Sequence, residues 1–156
     1  MNSIGVIGLG VVGGAVRHAF ERFFSMATYD IDPDKSTVSS VAQLVKLCSF
    51  IFITLPTPMK QDGSCDLANI SNVLKTLNEE SFLGIVIIKS SIPPGTTQKL
   101  SEQYPSLNIV FNPEFLNERS ANQDFEKQDK VILGGNPKNT AKAAVLFKKV
   151  FPSAHI

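Results

Sequence analysis

The feature that most constrains the fold of this chain is a regular alternation between short apolar segments and longer segments of helical periodicity. The short segments are rich in β-branched residues, which is typical of strands that are buried on both faces. They lie at residues 4–7, 27–29, 50–55, 85–88, 108–111 and 131–133. Strands of this kind alternating with helices predict an α/β fold, a doubly wound parallel sheet covered by helices on both sides.

The segments between the predicted strands carry helix signals. Residues 11–24 have apolar residues at helical spacing, and Phe23 closes that apolar face. A further helix is predicted over residues 97–103. Three more helices have a capping residue before their first turn: Ser40 before residues 41–47, Asp66 before a helix beginning at Leu67, and Asn136 with Pro137 before a helix running toward Lys149.

Composition limits the number of domains and the kinds of partner. A chain of 156 residues buries about two-thirds of its unfolded surface, so we expect one domain over residues 1–156. Fifteen basic and fourteen acidic residues leave a net charge of +1, which argues against a nucleic acid or a membrane as partner. No apolar run reaches membrane-spanning length, and the isolated Cys48 and Cys65 form no metal motif and fit the reducing cytoplasm.

The first predicted strand leads into Gly8-Leu9-Gly10-Val11-Val12-Gly13, a G-x-G-x-x-G motif at the start of a predicted helix. The first glycine permits a tight turn, the second lets a pyrophosphate approach the backbone, and the third lets the helix pack on the strand. The next strand ends at Asp30, whose carboxylate would accept hydrogen bonds from a ribose and repel a 2′-phosphate. The motif predicts a dinucleotide site that prefers NAD to NADP.

Simpler interpretations of these residues stay open. The glycines would serve only a tight turn, and Asp30 would only begin an Asx turn. Lys35 would reach the ribose or a phosphate, or would be a solvated loop lysine. The common register of strand, turn, helix and acid favours the dinucleotide site.

Polar residues follow three further predicted strands, at residues 55–58, 89–96 and 112–118. Ligands bind at the carboxyl ends of strands in open α/β sheets. Each segment also has a purely structural explanation: Pro56 and Pro58 end a strand, Ser90 and Ser91 cap a helix, and Asn112 caps a helix with Pro113 and Glu114 in its first turn. The residues alone therefore give a candidate site and no reaction.

These segments, in this order, resemble the nucleotide-sugar dehydrogenase family, which comprises UDP-glucose and GDP-mannose dehydrogenases. The likeness spans nearly the whole chain and comprises the glycine motif, Asp30-Ile31-Asp32, Leu55-Pro56-Thr57-Pro58, residues 89–96, Asn112-Pro113-Glu114-Phe115-Leu116, Ser120-Ala121 with Asp124-Phe125, and residues 131–135. The resemblance implies a Rossmann-type NAD-binding domain. It also implies an enzyme of polysaccharide biosynthesis that oxidises the C6 alcohol of a sugar nucleotide to the carboxylate, with two NAD.

The resemblance further implies roles for individual residues. The pyrophosphate turn would comprise Gly8, Gly10, Val11, Val12 and Gly13, and the adenosine ribose would be held by Asp30 and Lys35. Thr57 and Ser91 would lie along the cofactor, with Glu118 near the nicotinamide. Ser91 would also hold the catalytic water, and Glu114 would be the acid/base of the later hydrolysis. The sugar nucleotide would be lined by Glu114, Phe115, Leu116, Asn117 and Glu118.

The chain departs from the family pattern in several places. Ser91 stands where the family usually has threonine. Asn117 and Arg119 stand where arginine or alanine, and often glycine, are common in the family. The stretch between Lys35 and Val41 is much shorter than in typical family members, which carry an extra helical excursion there. Family members continue through a central helix into a second domain that bears the catalytic cysteine, which neither cysteine of this chain matches. We therefore expect this chain to lack that domain.

These departures lead to an expectation for the chain by itself. It should bind NAD without turnover, as one part of an enzyme whose sugar-nucleotide site needs the second domain. The family implies a homodimer, and we expect this piece to be a monomer. Two alternatives are a self-standing NAD-binding module without catalysis and a fragment of a 6-phosphogluconate-type hydroxyacid dehydrogenase.

Overall fold

The computed structural model describes residues 3–156 and is built around one sheet. Its strands are β1 (Ser3–Ile7), β2 (Met26–Tyr29), β3 (Cys48–Ile53), β4 (Ile85–Ile88), β5 (Asn108–Phe111) and β6 (Gly134–Gly135). They lie in the order β2-β1-β3-β4-β5-β6. Strands β1 to β5 are parallel, and β6 pairs antiparallel with β5 at the edge. This confirms the predicted doubly wound α/β fold, with an antiparallel edge strand added.

Helices cover both faces of the sheet. They are α1 (Val11–Phe20), α2 (Val41–Leu47), α3 (Ala68–Glu79), α4 (Thr96–Gln103), α5 (Ala121–Glu126) and α6 (Pro137–Val150), and a short 3-10 turn spans Pro33–Lys35. One apolar core lies between the sheet and α1, α5 and α6, and the other lies between the sheet and α2, α3 and α4. Because both faces are buried, the strands are apolar on both sides, as the sequence pattern indicates.

Phe20 is the centre of the first core. Its side chain is fully buried and its ring packs against those of Phe52, Phe147 and Phe151 at centroid distances of 5.1, 5.7 and 6.1 Å. These rings come from α1, β3 and the region of α6, and all three pairs are edge-on, which aromatic quadrupoles favour. The cluster therefore fastens the first and last helices to the middle of the sheet.

Two predicted helix caps are confirmed and one is corrected. The Ser40 hydroxyl accepts a hydrogen bond from the Gln43 N–H at 3.3 Å, and the Asn136 carboxamide accepts one from the Lys138 N–H at 3.0 Å. Asp66 is not the cap of α3, because Leu67 holds that position. The Asp66 carboxylate still accepts a hydrogen bond from the Ala68 N–H at 3.0 Å, but Asp66 lies one residue before the cap position.

The first helix ends earlier than its periodicity predicts. It stops at Phe20, and the N–H groups of Phe23 and Phe24 both bond back to the Phe20 carbonyl in a turn. This turn rotates Phe23 outward, where 43% of the residue is exposed, and packs Phe24 against the core instead. The prediction that Phe23 belongs to the buried face is therefore wrong.

Residues 131–133 do not form the predicted strand. The Val131 N–H donates to the His155 carbonyl at 2.8 Å, so the chain pairs with its own C-terminal segment before it reaches β6. Val131 is nevertheless buried in the first core. Its apolar character thus reflects burial of an irregular segment, which a short apolar run cannot distinguish from a strand.

Candidate functional site

The order of the strands creates a crevice at the end of β1. The chain passes from β1 to its neighbour β2 on one side and later to β3 on the other side, so the connections diverge between β1 and β3. Such a switch point is where open α/β sheets bind ligands, beyond the carboxyl ends of the strands. A cavity of about 670 Å³ lies there. Its lining includes ten of the predicted site residues: Gly8, Gly10, Val11, Val12, Asp30, Lys35, Thr57, Ser91, Glu114 and Glu118.

The glycines of the first turn are required by close approaches of the backbone. Gly8 has a φ of 92°, and a Cβ added there would lie 2.8 Å from the Thr54 carbonyl oxygen. A Cβ on Gly13 would lie 1.9 Å from the Gly8 carbonyl oxygen, which explains why Gly13 packs without lining the cavity. Gly10 differs, since a Cβ there would meet nothing within 4 Å. The open side of Gly10 faces the cavity beside the start of α1 and leaves room for a pyrophosphate.

Asp30 makes the Asx turn that the sequence leaves open as the simpler interpretation, and it also contacts the glycine turn. One carboxylate oxygen accepts from the Asp32 N–H at 2.9 Å, which is an Asx turn, and the other accepts from the Leu9 N–H in the glycine turn. Backbone hydrogen bonds, first from Asp32 and then from Leu9, hold the pKa of this carboxyl below its usual value. Asp30 is therefore an ionised acceptor fixed at the edge of the cavity.

Lys35 lies at the rim of the cavity with its ammonium group exposed to solvent. Its Nζ is 3.5 Å from the Asp32 carboxylate, and about half of each side chain is exposed. Such an exposed pair contributes little stability. The lysine could leave this pair for a ribose or a phosphate at small cost, so its predicted role stays a prediction.

The ends of β3 and β4 meet on the opposite wall. The Thr57 hydroxyl donates a hydrogen bond of 2.7 Å to the Ser91 carbonyl oxygen. The sulfur of Cys65 lies 3.9 Å from the same oxygen. Neither serine after β4 caps a helix, because Gly95 holds the cap position of α4. The capping explanation of Ser90 and Ser91 therefore does not apply.

The segment after β5 has no regular secondary structure from Asn112 to Asn117 and begins no helix. Its structure therefore excludes the capping explanation for Asn112. Glu114 is half-buried and accepts a hydrogen bond from the Leu116 N–H at 3.1 Å. Phe115 and Leu116 line a neighbouring cavity of about 400 Å³ that shares Glu114 with the first. Asn117 lines neither cavity, and its side chain accepts from the Arg119 N–H.

Lys89 is a member of the site that sequence reasoning missed as a functional residue. Only 3% of it is exposed, yet it lines both cavities. Its ammonium donates a 2.8 Å hydrogen bond to the buried carboxamide of Asn112 and lies 5.0 Å from the centre of the Phe125 ring. Burial lowers its pKa to about 8, and the nearby Glu114 carboxylate opposes this change. The position of Lys89 in the sequence, between a buried strand and two serines, is a signal that could have identified it as a site residue.

The buried position of Lys89 predicts a dependence of stability on pH. Since its pKa is lower in the folded than in the unfolded protein, the unfolded chain binds more protons between about pH 8 and pH 10.5, and stability rises with pH there. We compare the free energy of unfolding of the wild type with that of Lys89→Met. From pH 7 to pH 10, the difference should shift in favour of the wild type by about 2–3 kcal/mol. Urea unfolding of both proteins measures the gain. The exposed Lys99→Met is the control, and an equal pH dependence of the wild type and Lys89→Met would contradict the assignment.

The remaining features of the described chain are quickly stated. Cys48 is buried in the second core, and burial raises the pKa of its thiol to about 11. Within residues 3–156, no group of three His, Cys, Asp or Glu side chains is arranged to hold a metal ion. No helix of this part of the chain combines the length and the apolar character needed to span a membrane.

Comparison with known proteins identifies the family. Residues 36–153 match the model of the UDP-glucose/GDP-mannose dehydrogenase family, NAD binding domain. The chain is 35% identical over 109 residues to the UDP-glucose 6-dehydrogenase of Rickettsia prowazekii, a match that covers 65% of this chain and 24% of that protein. The match to the family model begins after the glycine motif and Asp30. The structural likeness described next extends over almost the whole chain.

Solved structures show the same fold over almost the whole chain. A UDP-glucose dehydrogenase from the archaeon Pyrobaculum islandicum superposes with a TM-score of 0.81 at 24% identity, covering 99% of this chain and 45% of that one. A ternary complex of GDP-mannose dehydrogenase from Pseudomonas aeruginosa gives 0.77 at 20% identity, covering 97% and 44%. The chain thus spans under half of these structures and about a quarter of the curated relatives.

The family model is that of an NAD-binding domain, which confirms NAD as the cofactor and agrees with the fit of the glycine turn to a pyrophosphate. It also favours a nucleotide-sugar dehydrogenase over a hydroxyacid dehydrogenase, the alternative that shares the glycine motif. The resemblance stated from the motifs is confirmed. The chain corresponds to the NAD-binding domain of the UDP-glucose/GDP-mannose dehydrogenases and belongs to this family of oxidoreductases.

Proposed function

We propose that this chain is the NAD-binding part of a nucleotide-sugar 6-dehydrogenase that oxidises the C6 alcohol of a UDP-glucose-type sugar nucleotide to the carboxylate. The observation that carries the proposal is the single cavity that gathers the glycine turn, Asp30, Thr57, Ser91, Glu114 and Glu118 at one edge of the sheet. Bound NAD supplies the hydride acceptor for each of the two oxidation steps. The chain's own residues bind and orient the reacting groups.

The proposed roles follow the walls of the cavity. The amide groups at the start of α1 and the open side of Gly10 receive the pyrophosphate, and Asp30 receives the ribose hydroxyls. Ser91 positions the water of the hydrolysis step, and Glu114, which the Leu116 N–H holds in place, takes a proton from that water as its oxygen attacks the acyl carbon and the cysteine thiolate of the second domain leaves. The backbone of residues 114–118 lines the sugar nucleotide.

Asp30→Ala should weaken NAD binding by about 1–3 kcal/mol, because charged hydrogen bonds to the ribose are lost. It should also narrow the preference for NAD over NADP, since the carboxylate no longer repels a 2′-phosphate. Calorimetric titration of both cofactors measures the two effects. Asp34→Ala is the matched control, because Asp34 is exposed in the same loop and lies outside the cavity. Unchanged affinity and preference in Asp30→Ala would remove Asp30 from the site.

We further propose that this chain alone binds NAD without turnover, and that the sugar nucleotide is bound together with a second domain that bears the reactive cysteine. Cys48 is buried with a raised pKa, and Cys65 does not line the cavity, so neither thiol is presented there as a nucleophile. Incubation of the chain with NAD and UDP-glucose should produce no NADH above background. Steady formation of NADH would show that the chain is a complete catalyst.

A further inference from the structure

Thr54, which directly follows β3, makes an unusual contact with the glycine turn. Its hydroxyl lies 2.6 Å from the Gly8 carbonyl oxygen and 3.0 Å from the Ile7 carbonyl oxygen. Successive carbonyls of a regular strand point to opposite sides. Here the Ile7 carbonyl already accepts the ladder hydrogen bond from the Thr54 N–H at 2.9 Å, and the φ of 92° at Gly8 turns the next carbonyl toward β3 as well, so the Thr54 hydroxyl lies beside both oxygens. This donor satisfies the Gly8 carbonyl where the ladder between β1 and β3 ends.

The other end of the same peptide group contacts Asp30. The carbonyl and N–H of a trans peptide point in opposite directions, so fixing one fixes the other. The Gly8 carbonyl points toward β3, and the Leu9 N–H therefore points toward β2, where it donates to the Asp30 carboxylate. Because β1 lies between β2 and β3, this one peptide connects Thr54 with Asp30 across the switch point.

We propose that Thr54 is a positioning residue: its hydroxyl fixes the Gly8–Leu9 peptide, and this peptide fixes the Asp30 carboxylate that receives the ribose of the cofactor. The proposal rests on the proposed function, in which Asp30 binds the ribose. Chains of hydrogen bonds polarise one another, so the Thr54 donor also strengthens the bond from Leu9 to Asp30. Thr54 thus acts on cofactor binding through Asp30.

The test compares Thr54→Ala with Thr54→Ser, which differ only by the hydroxyl oxygen. Thr54→Ala should weaken NAD binding about tenfold, and Thr54→Ser should bind within about twofold of the wild type. Thr76 provides the matched control, because its hydroxyl also donates to a carbonyl, that of Asn72 at 3.1 Å, and Thr76 does not line the cavity. Thr76→Ala should leave NAD affinity unchanged.

A double-mutant comparison separates action through Asp30 from a general loosening of the turn. In the Asp30→Ala background, Thr54→Ala should change NAD affinity less than about twofold, because the carboxylate it positions is gone. An undiminished tenfold loss in that background would overturn the proposal, as would wild-type affinity in Thr54→Ala itself.

A second readout needs no cofactor. The pKa of Asp30 is held down by hydrogen bonds from the Asp32 and Leu9 N–H groups. It should rise in Thr54→Ala and remain as in the wild type in Thr54→Ser, measured by NMR titration of the side-chain carboxyl carbon. An unchanged pKa in Thr54→Ala would contradict the proposal. If the wild-type chain failed to bind NAD, the proposed function would fail, and this titration would still decide whether Thr54 positions Asp30.

Discussion

Gly13→Ala should abolish NAD binding, lowering affinity at least about 100-fold, and should lower the free energy of unfolding by about 3 kcal/mol. The added Cβ would lie 1.9 Å from the Gly8 carbonyl oxygen and 2.7 Å from the Thr54 hydroxyl. Both the helix and the turn are backbone at this contact, so no side-chain rotation relieves the overlap. The turn must open, and the amide groups that we propose for the pyrophosphate move with it.

The adjacent glycine provides a matched control. Gly14 lies in the same helix, but a Cβ added there would meet nothing within 4 Å. Because alanine is favoured over glycine in helices, Gly14→Ala should stabilise the protein by about 0.5–1 kcal/mol and leave NAD affinity unchanged. Calorimetry and urea unfolding of the two variants give the comparison. Wild-type NAD affinity in Gly13→Ala would show that the turn does not hold the cofactor.

Phe20→Ala should lower the free energy of unfolding by about 3–5 kcal/mol, the largest stability effect that we expect from a core substitution. The ring is fully buried and contacts aromatic rings from β3 and from the C-terminal part of the chain, so its removal leaves a cavity between rigid elements. Urea unfolding at neutral pH measures the loss.

Phe23→Ala is the control for this prediction. Phe23 follows Phe20 by three residues and is 43% exposed, so the same substitution there should cost about 1 kcal/mol or less. If the two variants lost equal stability, Phe20 would not be the centre of the first core, and the burial of the residue would have to be reconsidered.

The sequence alone predicts the sheet, its covering helices and several helix starts. The alternation of apolar runs and helical segments was sufficient for the sheet and its two covering layers, because burial on both faces makes strands apolar throughout. Ser40 and Asn136 marked helix starts correctly, since their side chains bond to backbone groups a few residues away. Such local signals are contained in the sequence itself.

Features that depend on distant contacts were not predictable in this way. The end of α1 at Phe20 brings Phe24 rather than Phe23 against the first core, whose other members come from distant parts of the chain, and helical periodicity continues past it. Residues 131–133 are irregular because Val131 pairs with His155 near the end of the chain. The burial of Lys89 likewise depends on Asn112 and Phe125, which lie on other elements.

The candidate site was predictable to a greater extent than these details. In a doubly wound sheet, the carboxyl ends of parallel strands meet at one edge, so motifs after β1, β2, β3, β4 and β5 had to converge. Thr54 was not recognised, because a threonine at the end of an apolar strand is common. Its importance appears only when its hydroxyl is seen against the Gly8 carbonyl.

The most direct test of the proposed cofactor site is calorimetric titration of this chain with NAD and, in parallel, with NADP. We expect saturable binding of one NAD per chain, with a clear preference for NAD, because we propose that the glycine turn receives the pyrophosphate and that Asp30 repels a 2′-phosphate. Failure to bind NAD, or binding of NADP as tightly as NAD, would contradict the assignment of the cavity at the end of β1 as the cofactor site.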